Sequence, residues 1–358
     1  MAQASSQYYD GYMQYVREAG RSRKVRVVTI GGGTGHFVLL SGLKKHPLDL
    51  AAIVSMADDG GSTGVLRDEM GVLPPGGVRQ CLAALSQETK VLRELFSYRF
   101  SVGGMRGHSF GNIFLAPLEK VSGSFSAAVK EAGRVLAIAG EVIPVTEGDM
   151  RLVIHLNDGT KLSGEKFLDA DERLRQVGVA NISLLNPVMA TPLAVEKIQA
   201  ADVICLGPGD LYGSVLPPLL VPQIATAIRD SHALVIYTAN LTNKHGQTDE
   251  FTADDYVRAI HRYLGAHRIG VVLCNSEPPA AHLLARYEAQ EGKNMMVACK
   301  PVEGGGYELL SAPILSQETI ISKPQDALDT RRSFIRHDST RLASALMHII
   351  DEKFSAPH

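Results

Sequence analysis

Two adjacent carboxylates and a run of small residues, Asp58-Asp59-Gly60-Gly61-Ser62-Thr63-Gly64, follow the apolar stretch AAIVSMA. Carboxylates at the end of a strand can hold Mg²⁺ beside a phosphate or assist a hydroxyl nucleophile, and the small residues behind them form a loop that accepts an anion. The structural alternative is an Asx turn before a helix, with the two acids pointing apart and one only capping the chain. A second chemical feature, Gly31-Gly32-Gly33-Thr34-Gly35, lies between the β-branched run VRVVTI and the helix-like HFVLLSGLKKH. Glycine there lets the backbone approach a phosphate, and the following helix presents unpaired N–H groups and a positive dipole end. Position 36 is His and the P-loop lysine is missing, so neither NAD nor ATP binding follows directly; a tight turn without a ligand is the alternative.

Four further segments carry functional groups. Leu73-Pro74-Pro75-Gly76-Gly77 precedes Arg79, whose fork suits a phosphate or a carboxylate. Gly107-His108-Ser109-Phe110-Gly111-Asn112 opens an apolar helix; Asn112 offers donor and acceptor to a ligand but as a lone helix-start Asn is more often a cap, and His108 is a candidate acid or base. A second glycine-rich loop, Gly207-Pro208-Gly209-Asp210-Leu211-Tyr212-Gly213-Ser214, follows the strand ending Cys205-Leu206, and two such loops in one sheet imply a bipartite ligand. The segment NLTNKHGQTDE, with Asn240, Thr242 and Lys244, is too polar for packing and suits ribose, base or sugar recognition, although Lys244 alone reads equally well as a solvated lysine. None of the 12 histidines forms a spaced metal cluster, so zinc is not expected.

Placing these groups requires strands and helices in alternation. VRVVTI, a helix and AAIVSMA form a βαβ unit, and unbroken apolar strands indicate a parallel sheet covered on both faces. The rhythm returns with ADVICLGPG, a helix over about Val221 to Arg229, the strand ALVIYTAN, a helix near Ala253 to Leu264 and the strand RIGVVLCN. Between Glu141 and Leu168, alternation at Leu152, Ile154 and Leu156 leads into Asn157-Asp158-Gly159, which predicts a small antiparallel β insertion over about 141–168. Leu342, Ala345, Leu346, Ile349 and Ile350 have helical spacing after Ser339, the expected N-cap. The fold class is therefore α/β, with a mostly parallel sheet covered on both faces. Residues 1–22 form a polar tail and 23–358 one domain with the insertion and a C-terminal helix.

With 358 residues, 45% hydrophobic and 21% charged, the chain can bury a large core, which argues against disorder. The 36 Lys and Arg nearly balance 38 Asp and Glu, so no global field draws nucleic acid or an acidic membrane, and an anion must be held locally. Cys81, Cys205, Cys274 and Cys299 lie far apart in apolar surroundings and read as reduced interior thiols of a cytoplasmic protein. The N-terminus lacks an apolar export segment, and no apolar run approaches the ~20 residues of a membrane helix. A homo-oligomer is expected, with the tail a candidate contact.

The chain resembles the YvcK-type gluconeogenesis factors, relatives of the CofD 2-phospho-L-lactate transferases. The resemblance rests on TIGGGTG, IVSMADDGGSTGVLRDEMGVLPPGGVRQCLAAL, GHSFGNIFLAPL, ICLGPGDLYGSVLPPLLVP and NLTNKHGQTDEFTADDYVRAI, and covers about residues 24 to 350. It implies that residues 23–358 form a three-layer, Rossmann-like, CofD-like nucleotide-binding domain, and that the chain is a cytoplasmic UDP-sugar-binding regulator of carbon metabolism and cell-envelope synthesis or cell shape, with a protein partner in envelope regulation. The alternative it implies is a transferase moving a phospholactyl group from a guanylyl-activated donor to a deazaflavin hydroxyl with Mg²⁺. LARYEAQEG and IRHDSTRLASAL extend the likeness, and by it Tyr287 and Arg336 are carried over as UDP-sugar contacts. The expected ligand residues are Gly32, Gly33, Thr34, Gly35, Asp58, Asp59, Gly60, Ser62, Asn112, Gly207, Gly209, Asp210, Tyr212, Asn240, Thr242, Lys244, Tyr287 and Arg336, with Asp58 and Asp59 the catalytic or metal candidates. A nicotinamide dehydrogenase is the weaker third reading, because the glycine spacing departs from the dinucleotide fingerprint.

Overall fold

The apolar runs become strands in the order expected. They are β1 (Arg26–Gly31), β2 (Asp49–Val54), β3 (Glu141–Pro144), β4 (Leu152–Leu156), β5 (Lys161–Ser163), β6 (Val179–Leu184), β7 (Val203–Leu206), β8 (Leu234–Thr238), β9 (Ile269–Asn275) and β10 (Glu308–Ala312). The structure, a computed structural model, describes residues 24–302, 304–317 and 334–355; the expected tail, 1–22, lies outside the described residues. Seven strands form a parallel sheet in the order β10-β9-β8-β7-β1-β2-β3, with Arg26 paired to Asp49 and Val27 to Val203. The chain builds outward from β1 to β3, then returns and builds the other way from β7, so the direction of winding reverses between β1 and β7. Right-handed crossovers then place the helices of the two halves on opposite faces.

The helices used below are α1 (Gly33–Leu43), α2 (Gly61–Met70), α3 (Gly76–Leu85), α4 (Lys90–Ser97), α5 (Phe110–Ser122), α6 (Phe125–Val135), α7 (Pro192–Ala200), α8 (Pro222–Asp230), α9 (Ala253–Leu264), α10 (Ala281–Glu291) and α11 (Ser339–Ser355). α1 packs on α3 and α11, while α7 packs on α8. The expected N-cap of the last helix is corrected by one residue: Asp338 Oδ1 accepts from the N–H groups of Thr340 and Arg341 at 2.9 and 2.8 Å, which Ser339 does not do. A carboxylate at that end also suits the helix dipole. Among the described residues no single helix is long and apolar enough to cross a membrane.

The insertion is real but differently bounded. Glu141–Pro144 is not part of it, since β3 pairs in parallel with β2 and buries Val142, Ile143 and Pro144 consecutively. The antiparallel sheet has the order β5-β4-β6, and β6, far along the chain, covers the second edge of β4. The Asn157-Asp158-Gly159 turn forms as expected, with Gly159 at φ 86. Leu152, Ile154 and Leu156 face inward and join the main core.

Cys81 and Cys205 are buried free thiols, but Cys274 and Cys299 form a disulfide, which corrects the expectation of four reduced thiols. Twenty-five residues separate the pair in sequence, and only the return of the chain beside β9 brings their Cα atoms to 6.2 Å. Thiol titration of the denatured protein is expected to count two thiols without reductant and four after reduction; four before reduction contradicts the bond.

His36, the residue that breaks the dinucleotide fingerprint, is fully buried; its Nε2 meets Thr29 Oγ1 at 2.7 Å and its Nδ1 lies 3.7 Å from Cys81 Sγ. Burial pushes its pKa down to about 4. The unfolded ring protonates first as the pH falls through about 6.5, so the stability contributed by the neutral native ring is present above that pH and lost toward 4. Urea unfolding at pH 7 and pH 5 is expected to show a decline smaller by about 2 kcal/mol in His36→Gln than in the parent chain; equal declines contradict this assignment.

Candidate functional site

The two glycine-rich loops leave neighbouring strands at the reversal point. β1 runs through Gly31 and Gly32 into α1, whose first residue, Gly33, has φ +66, a left-handed conformation that favours glycine. β7 runs into Gly207, also left-handed at φ +68, and then a cis peptide to Pro208. The loops touch: a Cβ on Gly35 would collide with the Pro208 carbonyl, and one on Gly209 would lie 3.4 Å from the Gly32 oxygen. Beside them opens a cleft of about 680 Å³ at the carboxyl ends of the strands, the place where open α/β sheets bind ligands.

Three helices begin at this cleft. α1, α2 and α3 each start with glycine, none has a capping side chain, and none carries an acid in its first turn. Gly32, Gly33, Thr34, Gly35, Gly60, Gly61, Ser62, Gly76 and Gly77 line the wall. Bare N–H groups converging from separate helix ends favour an anion, since each end carries a partial positive charge.

The paired aspartates part company. Asp58 lines the cleft, and its Oδ1 accepts from the Gly60 N–H at 3.0 Å in an Asx turn. A Cβ on Gly76 would stand 2.5 Å from both Asp58 Oδ2 and Thr63 Oγ1, so that glycine is required for the carboxylate to fit. Burial raises the Asp58 pKa, with the charge of Asp59 adding to it against the Gly60 N–H, the Thr63 hydroxyl and Arg79. Asp59 turns to the insertion instead: its Oδ1 accepts from the Lys166 N–H at 2.8 Å, and it is not on the cleft wall. The two acids therefore face different parts of the molecule, Asp58 the cleft and Asp59 the insertion.

A chain of polar contacts fixes the neighbouring wall. Arg79 Nε donates to Asn112 Oδ1 at 3.0 Å, Asn112 Nδ2 donates to Ser62 Oγ at 3.2 Å, and Ser62 Oγ meets His108 Nδ1 at 2.9 Å. Asn112 is thus not the cap of α5; Ser109 is, accepting from the Asn112 N–H at 3.3 Å. Across the cleft, Lys244 Nζ bridges Asp169 Oδ1 at 2.6 Å and Asp210 Oδ2 at 2.5 Å. Burial alone would lower the Lys244 pKa, but the two carboxylates raise it above the usual lysine range. Glu165 is pushed well above the ordinary carboxylate range by burial and by the charges of Asp58, Asp169, Asp210 and Asp59.

Of the remaining expected residues, Gly209, Asp210, Asn240, Thr242, Tyr287 and Arg336 line the cleft. Tyr287 is only 5% exposed; its hydroxyl donates to the Asn243 carbonyl at 2.7 Å and its ring meets the edge of Phe334 at 5.7 Å. It anchors the wall by packing. Tyr212 lies in a π-helical turn, Leu211–Val215, and buries its ring in the core, while Gly207 shapes the turn; neither lines the cleft. The sequence reading passed over Gln80, Glu165, Lys166, Asp169 and His337, all cleft residues. The one sequence signal for three of them is GEKFLDA, a polar segment just after the predicted hairpin.

The family model described as 2-phospho-L-lactate transferase CofD matches residues 27–315. A putative gluconeogenesis factor of Nostoc sp. is 40% identical over 328 residues, covering 91% of this chain and 68% of that protein. One of Thermotoga maritima is 39% identical over 332 residues, with 91% and 99% covered, and the gluconeogenesis factor of Bacillus subtilis is 35% identical over 334, with 92% and 99% covered. A crystal structure of a Bacillus halodurans protein of the UPF0052 family superposes with TM-score 0.81 at 34% identity, covering 91% of this chain and 99% of that one.

If Asp59 holds the insertion, Asp59→Ala removes one charge-assisted acceptor and costs about 1–2 kcal/mol locally. Amide exchange at Lys166 is then expected to rise by roughly tenfold while the β1 and β7 amides stay protected. Unchanged exchange at Lys166 contradicts the role.

Proposed function

The chain belongs to the CofD family, among its gluconeogenesis factors, and from that premise we propose that its cleft binds a UDP-sugar and that this binding regulates carbon metabolism and cell-envelope synthesis or cell shape in the cytoplasm. The observation that carries the reading is the convergence of three uncapped, glycine-started helix ends on one cleft at the strand reversal. A diphosphate satisfies several such N–H groups at once, and none of the three first turns carries an acid of its own to compete with it. Asn240 and Thr242, at the end of the wall formed with Tyr287 and Arg336, offer amide and hydroxyl groups to the base and sugars. Arg336 gives the diphosphate a fork to meet.

The second reading, a phospholactyl transferase, is favoured by one feature: Asp58 lines the cleft with its pKa raised, so it can take a proton from an acceptor hydroxyl nearer neutrality than an ordinary carboxylate does. Asp59 supplies no second carboxylate for Mg²⁺, and a divalent cation in this cleft would come with the ligand's phosphates.

Calorimetric titration with UDP-glucose, UDP-N-acetylglucosamine, and GDP with Mg²⁺ separates the readings. Saturable heat with a UDP-sugar is expected; heat with GDP and Mg²⁺ alone, followed by turnover with an activated phospholactate and a deazaflavin, replaces regulator by transferase. Thr34→Glu places a charge at the start of α1, where it suits the helix but repels a phosphate, and is expected to weaken UDP-sugar binding by at least about tenfold. Undiminished affinity removes α1 from the binding site.

A further inference from the structure

Three histidines are buried among the described residues, His36, His261 and His337. His36 Nε2 meets Thr29 Oγ1, and His261 Nε2 accepts from the Ile269 N–H at 3.2 Å. His337 differs, because its Nε2 is buried without a hydrogen-bond partner although the residue lines the cleft. Buried polar atoms are normally satisfied, and an orphan on a cleft wall calls for a partner from outside the chain.

The residue is held in place on both sides. His337 pairs with Leu315 as an antiparallel bridge, the Ser316 N–H donates to the Arg336 carbonyl at 2.8 Å, and the Asp338 N–H donates to the Ile314 carbonyl at 2.8 Å. Asp338 then caps α11. The backbone is fixed, and the ring is only 8% exposed. Burial pushes the His337 pKa down to about 4, against the Ala239 carbonyl beside it, so the ring is neutral at physiological pH. Because Nε2 is the nitrogen without a partner, the ring nitrogen toward the Ala239 carbonyl is Nδ1, and the proton it donates there leaves the Nε2 lone pair as an acceptor.

We infer that His337 is a ligand-contacting residue whose Nε2 accepts a hydrogen bond from a hydroxyl of the bound nucleotide sugar. The inference rests on the nucleotide-sugar reading above and adds the chemistry of one contact. An acceptor at this place cannot bind phosphate oxygen; it selects the donor-bearing part of the ligand, opposite in character to the helix ends. Arg336 and His337, adjacent in sequence and both on the wall, thereby divide the work between the anionic and the neutral halves of one molecule.

Long-range ¹H–¹⁵N spectra of the histidine-labelled protein test it in two stages. In the ligand-free protein at pH 7, His337 Nε2 is expected unprotonated; a proton on Nε2 overturns the inference whatever the protein binds. On saturation with UDP-glucose the Nε2 resonance is expected to move toward that of a hydrogen-bonded acceptor. Saturable heat with no such movement means that the ligand does not reach this nitrogen, and the inference fails while the binding reading stands. Absence of heat with every nucleotide tried defeats the binding reading, and the tautomer measurement still decides the state of His337. His337→Phe is expected to weaken UDP-glucose binding about tenfold and His337→Gln, which keeps an acceptor near Nε2, by less than about threefold. A loss shared by UDP assigns the hydroxyl to ribose, and one confined to UDP-glucose assigns it to the hexose; equal affinities in all three proteins overturn the contact.

Discussion

Gly35 has no room for a side chain, because the Pro208 carbonyl occupies the place its Cβ would take. That close approach joins the loop after β1 to the loop after β7, the two strands between which the sheet reverses its winding. Everything else at the cleft depends on it. The N-terminus of α1 is aimed across the strand ends only because the second loop lies against it, and Ser214 stands close enough to Gly33 that a Cβ there would be 3.3 Å from its hydroxyl. Two stretches some 170 residues apart thus build one surface, and strands on either side extend it with Asp58 from beyond β2 and Asn240 from beyond β8.

The electrostatics of the cleft are divided. One side presents helix ends and Arg79, held by Asn112, whose amide in turn holds Ser62 and so His108. The other side gathers Asp169 and Asp210 on Lys244, with Glu165 in the field of the same two carboxylates. Burial and the neighbouring carboxylates push Glu165 toward its neutral form, which lessens the negative charge on this side. The insertion supplies Glu165 and Asp169, and Asp59 ties it to the main sheet, so the small antiparallel sheet is part of the site and not an ornament on the fold.

The strands, the parallel sheet and both glycine loops were legible because their signals are local: unbroken β-branched runs followed at once by glycine. β3 was not, because three apolar residues beside a hairpin carry no mark of which sheet they join, and only pairing with β2 decides it. The parting of Asp58 and Asp59 was foreseeable from the geometry of adjacent residues, yet the target of Asp59, the Lys166 amide, lies 107 residues away. Tyr212 was assigned to the ligand by its place in a glycine-rich loop, and a π-helical turn rotates it into the core. The Cys274–Cys299 bond and the orphan nitrogen of His337 are tertiary facts with no periodicity behind them.

Backbone amides of the two loops give the most direct measure of whether they form one anion-binding surface. Chemical shifts of the amide groups recorded during addition of UDP-glucose are predicted to move together at Gly32 to Gly35, Gly60 to Ser62 and Gly209, with a single saturation curve. Saturable movement confined to one loop, or centred away from the β1 and β7 strand ends, contradicts the account.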